Sequence, residues 1–229
     1  MGRLTSMVVA LAFAFGILSA QGAPPRYQTS SIGSPVNHVA VIGDSYTNGT
    51  DEGGLGSKAW TARTWLTLGR QGLQVAPDVA SEGRAGYGVP GDHGSLFRDL
   101  TARAVHPNDV LVVFFGSRND QGVNSELLAQ LTRDAFDMAR HIAPAAKLLV
   151  IGPPWPTTDP PDGVLEVRDV VAGQARAVGA TFVDPINDRW FVDRPDLIGA
   201  DGVHPTDAGH AYMAEKIAPL IRAQLPKRN

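Results

Sequence analysis

Short apolar runs alternate along this chain with longer segments of helical period, and that alternation restricts its possible folds more than any other feature. His38–Ile42, Leu73–Ala80, Asp109–Phe115, Lys147–Ile151 and Thr181–Val183 read as strands, and DVLVVFF at 109–115 is the strongest of them. Helices are predicted between them. One spans Ala59–Gln71 with Trp60, Trp65 and Leu68 toward the core, and another Ser95–Val105. A third carries the stripe Leu128, Leu131, Ala135, Met138 and Ile142, whose 3-4-3-4 spacing is that of one helix face. The last two cover Val164–Val178 and Thr206–Leu225. Strands separated by helices of this length mean βαβ units and a parallel sheet covered on both faces, hence an α/β fold. With no internal repeat, charge block or second linker, residues 37–229 are read as a single domain.

The first residues read as an export segment. Arg3 is the only charged side chain before residue 26, and Met7–Leu18 (MVVALAFAFGIL) is uninterrupted apolar or small sequence. Ala20 and Gly22 supply small residues at the −3 and −1 positions of a cleavage site. Twelve residues fall short of the roughly 18–20 that a spanning helix needs. Residues 1–22 are therefore expected to be a signal peptide and 23–36, with Pro24, Pro25, Gly33 and Pro35, a flexible lead-in. The expected location is secreted or cell envelope, with no integral membrane span after cleavage.

Composition removes several function classes. Cysteine is absent, which excludes disulfides, thiolate metal sites and a cysteine nucleophile. A net charge of −3 offers no basic stripe for nucleic acid. No cofactor or metal is expected, and the oligomeric state is left open. Gly86-Tyr87-Gly88-Val89-Pro90-Gly91 satisfies G-x-G-x-x-G, but Pro90 lies inside it and no periodic helix follows, so it reads as a glycine-rich loop. Thr47 stands where a G-x-S-x-G elbow around Ser45 needs its last glycine.

Four segments gather groups with acyl-transfer chemistry at the carboxyl ends of strands, where open parallel sheets form ligand crevices. Ser45 follows the first strand in Gly43-Asp44-Ser45-Tyr46 and is a candidate nucleophile or, alternatively, a helix N-cap. Asp201-Gly202-Val203-His204 places a carboxylate three residues before an imidazole, close enough to fix its tautomer and leave Nε2 for a hydroxyl proton. Taken alone, this is also how a surface Asp–His pair looks. The other histidines, His38, His93, His106, His141 and His210, read as surface or rim residues. Gly83 follows the second strand and Asn119 the third; a glycine N–H and an asparagine amide are both donors for a developing oxyanion, though each is also a common turn residue.

Gly43-Asp44-Ser45, Gly83, Asn119 and Asp201-x-x-His204 occur in the order of the four blocks of SGNH (GDSL-type) hydrolases, and the chain resembles that family from His38 to its last helix. The GDSY variant followed by Thr47, with the export segment, looks most like secreted actinobacterial members. The resemblance implies a flavodoxin-like three-layer α/β/α sandwich with strand order 2-1-3-4-5. It also implies Ser45 as nucleophile, His204 as base and Asp201 as its partner. The oxyanion hole would be the N–H groups of Ser45 and Gly83 with the Asn119 side chain. The third block departs from the usual Gly-x-Asn-Asp: Ser117 stands two residues before Asn119, and the glycine is Gly116. Either the turn is one residue longer or Ser117 takes the glycine's place.

The expected function is a secreted serine esterase or lipase acting on a lipid, short-chain or acylated-carbohydrate ester. The alternative is a catalytically silent glycan- or lipid-binding protein on the same fold. Trp155, in Pro153-Pro154-Trp155-Pro156, is either a substrate-stacking wall or packing for its own loop.

Overall fold

The computed structural model describes residues 36–226. The predicted signal peptide and all but the last residue of the lead-in lie outside the described residues. Five parallel strands form one sheet in the order β2-β1-β3-β4-β5. They are β1 (Asn37–Gly43), β2 (Val75–Ser81), β3 (Asp109–Phe115), β4 (Lys147–Ile151) and β5 (Thr181–Val183). This is the flavodoxin-like order implied by the resemblance, and the strands lie within two residues of their predicted positions.

Alternation within the strands builds two cores. Ala40, Ile42, Val112, Phe114, Leu148 and Val150 point to one face. There they meet α3 (Phe97–Ala104), α4 (Ser125–Ile142) and α5 (Asp162–Ala177). Val39, Val41, Leu111, Val113, Phe115, Leu149 and Ile151 point to the other, against α2 (Trp60–Arg70) and α6 (Asp207–Gln224). Successive residues of a strand face opposite sides, so a run such as DVLVVFF serves both layers and has no polar side to spare. No helix among the described residues is long and apolar enough to cross a membrane.

Two helix faces differ from expectation. In α4 the buried residues are Leu128, Thr132, Ala135, Phe136 and Ala139, while Leu131, Met138 and Ile142 are only half-buried. Counting large aliphatics rotates the face, because the helix seats Phe136 against Phe114 and Tyr87 and brings the small Ala139 to the same surface. In α2, Trp60 and Leu68 are buried as predicted, but Trp65 is half-buried at the edge of the second core.

His210 is also misjudged from sequence: it is fully buried in the first turn of α6. Its Nδ1 accepts the Trp60 N–H at 3.3 Å, tying α6 to α2. Its neighbour in sequence, Asp207, binds Lys58 and the Gly54 N–H. His106 likewise has a partner that sequence spacing does not reveal, Asp78 at 3.0 Å.

Candidate active site

The site begins where β1 ends. Asp44 caps the short helix α1 (Ser45–Asn48) by accepting the Tyr46 N–H at 2.9 Å, which places Ser45 as the first helical residue. The serine therefore heads the helix and is not its cap; Asp44 takes that role.

The candidate base, His204, approaches from a loop 159 residues away. Asp201 Oδ1 accepts the N–H groups of Val203 and His204 at 2.8 and 2.9 Å, an Asx turn that fixes the peptide ahead of the imidazole. The loop closes on itself through Gly199 N–H to His204 O at 2.8 Å and Thr206 N–H to Leu197 O at 2.9 Å. Within it, Asp201 Oδ2 lies 2.5 Å from His204 Nδ1, and His204 Nε2 lies 3.0 Å from Ser45 Oγ. The imidazole thus spans carboxylate and hydroxyl. Desolvation pushes the Asp201 carboxyl up, but the hydrogen bonds from the His204 N–H, the His204 ring and the Val203 N–H together hold it below the usual carboxylate range. An anionic Asp201 favours the tautomer with a proton on Nδ1 and leaves the Nε2 lone pair facing the serine.

The predicted donors converge on the same strand ends. The Ser45 and Gly83 N–H groups have no hydrogen-bond acceptor among the described residues. Gly83 is held by Asp92, whose N–H binds the Gly83 carbonyl at 2.9 Å and whose Oδ2 lies 2.3 Å from where a Cβ would stand, so a side chain there meets a carboxylate. Asn119 turns its amide toward Asp44 and the Ala85 carbonyl, with Nδ2 at 3.3 and 3.0 Å from them. Both hydrogens of that amide have protein acceptors, the longer contact being the one to Asp44, the residue before Ser45.

The irregular third block resolves in favour of Ser117. Its fully buried hydroxyl donates to the Ala85 carbonyl at 3.1 Å and accepts the Asn119 N–H at 3.1 Å, capping a single 3-10 turn over Arg118–Asp120. Gly116 lies just before it with φ of +133°, and a Cβ there would stand 2.7 Å from Asp44 Oδ2. The glycine is displaced by one position and makes room for the Asp44 carboxylate.

Two buried carboxylates were not singled out from sequence. Burial drives the Asp44 carboxyl up to about 7, against the Tyr46 N–H; the Asp120 charge adds to the rise and Arg118 opposes it. Asp120 is raised by burial too, and three N–H groups resist that shift. Those donors are Tyr87, Gly88 and Val89 at 2.9, 2.8 and 3.0 Å. The glycine-rich loop at 86–91 therefore does cradle an anion, but the anion is this protein's own Asp120. The sequence signal for it was its place as the last residue of the Gly-x-Asn-Asp block.

Trp155 is half-buried, with the Arg118 guanidinium 4.3 Å from its ring and its Nε1–H donating to Thr157 at 3.0 Å. It thus packs its own loop, one of the two sequence readings, and also joins the post-β4 loop to the third block. The same loop, through Pro156 and Thr157, borders a cleft of about 420 Å³ that also takes in Ile198 and Gly202, the residue after Asp201. Among the described residues, no group of three or more His, Asp and Glu side chains converges as a metal-ligand set.

The chain is similar to known proteins of one family. The model of the GDSL-like Lipase/Acylhydrolase family matches residues 41–212. GDSL lipase Rv0518 of Mycobacterium tuberculosis is 62% identical over 229 residues, covering 98% of this chain and 99% of that one. The crystal structure of TesA superposes with a TM-score of 0.64 at 24% identity, over 82% of this chain and 100% of that one. Est24, a carbohydrate acetylesterase from Sinorhizobium meliloti, does so with a TM-score of 0.61 at 18% identity, over 82% and 100%. At these identities the two structures bear on the fold.

Proposed function

The chain belongs to the GDSL-like lipase/acylhydrolase family and is a carboxylic ester hydrolase, and on that premise we propose that it works through an acyl-enzyme on Ser45, with His204 as general base and Asp201 as its partner. The observation carrying this reading is the unbroken sequence of contacts from Asp201 Oδ2 through His204 to Ser45 Oγ, at 2.5 and 3.0 Å. His204 Nε2 takes the hydroxyl proton as Oγ bonds to the ester carbonyl carbon. The carbonyl oxygen becomes an oxyanion facing the Ser45 and Gly83 N–H groups and the Asn119 amide. When the tetrahedral centre collapses, the C–O bond to the alcohol breaks and His204 returns the proton to that oxygen. Water then repeats the sequence on the acyl-enzyme and frees the acid. Asp201 stays ionised throughout and stabilises the imidazolium. No step calls on a metal or cofactor.

The substrate is proposed to be a small ester of lipid or acylated-carbohydrate type, with its acyl or alcohol portion in the cleft beside Gly202. The apolar start of the chain supports export, with cleavage after Gly22; intact-mass analysis of the mature protein checks whether its first residue is Ala23.

The deciding experiment is covalent. A fluorophosphonate probe should label Ser45, located by peptide mass spectrometry, and Ser45→Ala should abolish both labelling and ester turnover while the circular dichroism spectrum is retained. Labelling at another serine, or turnover by the folded alanine variant, would move the nucleophile elsewhere.

A further inference from the structure

Tyr46, the residue after the nucleophile, makes a contact that the chemistry above does not use. It is almost completely buried, with its ring set edge-on to Phe115 and Phe191 at 6.2 and 6.3 Å and tilted against the His204 imidazole at 6.2 Å. Its hydroxyl donates to the Val203 carbonyl at 2.5 Å, across 157 residues of chain. Val203 immediately precedes His204, and its own N–H is already taken by Asp201. One covalent step from the nucleophile is therefore hydrogen-bonded to one covalent step from the base.

The rest of the loop shows why this bond matters. The Gly199–His204 and Leu197–Thr206 backbone bonds fasten the loop to itself and leave its distance from β1 open. At its outer turn, Glu52 Oε2 accepts the Ala200 N–H at 2.9 Å. On the side of the base, the tie to the nucleophile's own helix is the Tyr46 hydroxyl. The ring is anchored at its root as well, because the Tyr46 N–H is the one that caps onto Asp44. Burial keeps the phenol protonated, with the Arg118 charge pulling the other way and the Asp44 and Asp201 charges adding to burial. A protonated phenol donates, as a backbone carbonyl requires.

We propose that Tyr46 is a positioning residue whose hydroxyl holds the Val203–His204 peptide so that His204 Nε2 stays within hydrogen-bond reach of Ser45 Oγ. The proposal rests on the Ser45–His204 reading and adds to it a device that an aliphatic residue at this position does not supply. Small displacements of a base from its nucleophile are costly, up to about 100-fold in rate for about 1 Å.

Tyr46→Phe tests it, since the ring keeps its contacts with Phe115 and Phe191 and only the hydroxyl is lost. With p-nitrophenyl acetate, kcat should fall about 10- to 100-fold while KM changes little, because Tyr46 is buried and its hydroxyl faces the Val203 carbonyl. The rate constant for fluorophosphonate labelling of Ser45 should drop in parallel, and amide exchange at 200–204 should quicken while β1 stays protected. Tyr87→Phe is the control for a buried hydroxyl: its oxygen has no hydrogen-bond partner among the described residues, and its removal should leave kcat unchanged. A folded Tyr46→Phe with unaltered kcat and labelling rate would overturn the proposal while leaving the acyl-enzyme reading intact. Full turnover by Ser45→Ala would instead overturn the reading beneath it. Should Tyr46→Phe not fold, the infrared carbonyl frequency of Val203 labelled with 13C in the unmodified protein decides: a band at the position of a carbonyl that accepts no hydrogen bond would also overturn it.

Discussion

Asp44 and Asn119 illustrate how one side chain orients another. Asn119 Nδ2 rests on Asp44 Oδ2 at 3.3 Å and on the Ala85 carbonyl at 3.0 Å, so its amide is oriented before any substrate arrives. In the proposed mechanism an oxyanion at Ser45 would compete with Asp44 for the hydrogen on the longer contact. Removing one oxyanion donor typically lowers kcat by about 10²–10³, and Asn119→Ala should do this with a much smaller change in KM, because the charge exists only in the transition state. Asp120→Ala should behave differently. It removes the acceptor of three loop N–H groups, so its main effect should be on stability, measured by urea unfolding. A selective kcat loss from Asp120→Ala, with Asn119→Ala mild, would put the block in the other register. At this scale the Asp201–His204 pair was legible because three residues separate its members, and the pairing is local. The burial of Asp44, Asp120 and His210 was not, because each depends on segments far away in the chain.

At the scale of elements, strand positions were legible because a strand buried on both faces has to be apolar throughout. The α4 face was less so. Its packing surface is decided by what β3 and α3 present to it, and there Thr132 and Ala139 fit where Leu131 and Met138 do not. The junction of β3 with the third block shows the same dependence on neighbours. Gly116 has a left-handed φ of +133°, and its missing Cβ is replaced by the Asp44 carboxylate. Gly116→Ala should therefore cost more than the roughly 1 kcal/mol range over which a compatible Gly→Ala change is favourable, in the destabilising direction. Its second consequence is functional: pushing Asp44 aside disturbs the acceptor of Asn119, so kcat should fall in the folded fraction. Thermal melting and kcat measured on the same preparation check both, and an alanine variant with an unchanged melting temperature would contradict the close approach.

For the molecule as a whole, two buried groups on opposite sides of the titration scale oppose one another. Burial holds Asp44 at about 7 in the fold, against 3.8 for an unperturbed carboxyl. Between those values the folded state binds the extra proton, so this group makes the protein more stable as pH falls from about 7 toward 4. Burial lowers His210 from 6.5 to about 4, the Asp207 charge opposing that shift. Below 6.5 the unfolded chain binds the extra proton, so the stability His210 confers above that pH is lost as pH falls through about 4. Separations of this size are worth about 4 kcal/mol for Asp44 and about 3 kcal/mol for His210. The two contributions run in opposite directions across the same window, and each should emerge when the other is removed. Asp44→Asn, which keeps an acceptor for the Tyr46 N–H, should be more stable than the unmodified protein at pH 8 and should lose that advantage steadily toward pH 4. It should also turn over more slowly, because its amide no longer accepts from Asn119. His210→Asn, whose Oδ1 can still accept the Trp60 N–H, should show the reverse slope, gaining on the unmodified protein as pH falls from 6.5 to 4. Urea unfolding of the three proteins at pH 8, 6 and 4.5 measures both slopes. Slopes of the same sign in the two variants would mean that these groups do not titrate in the fold as their burial dictates.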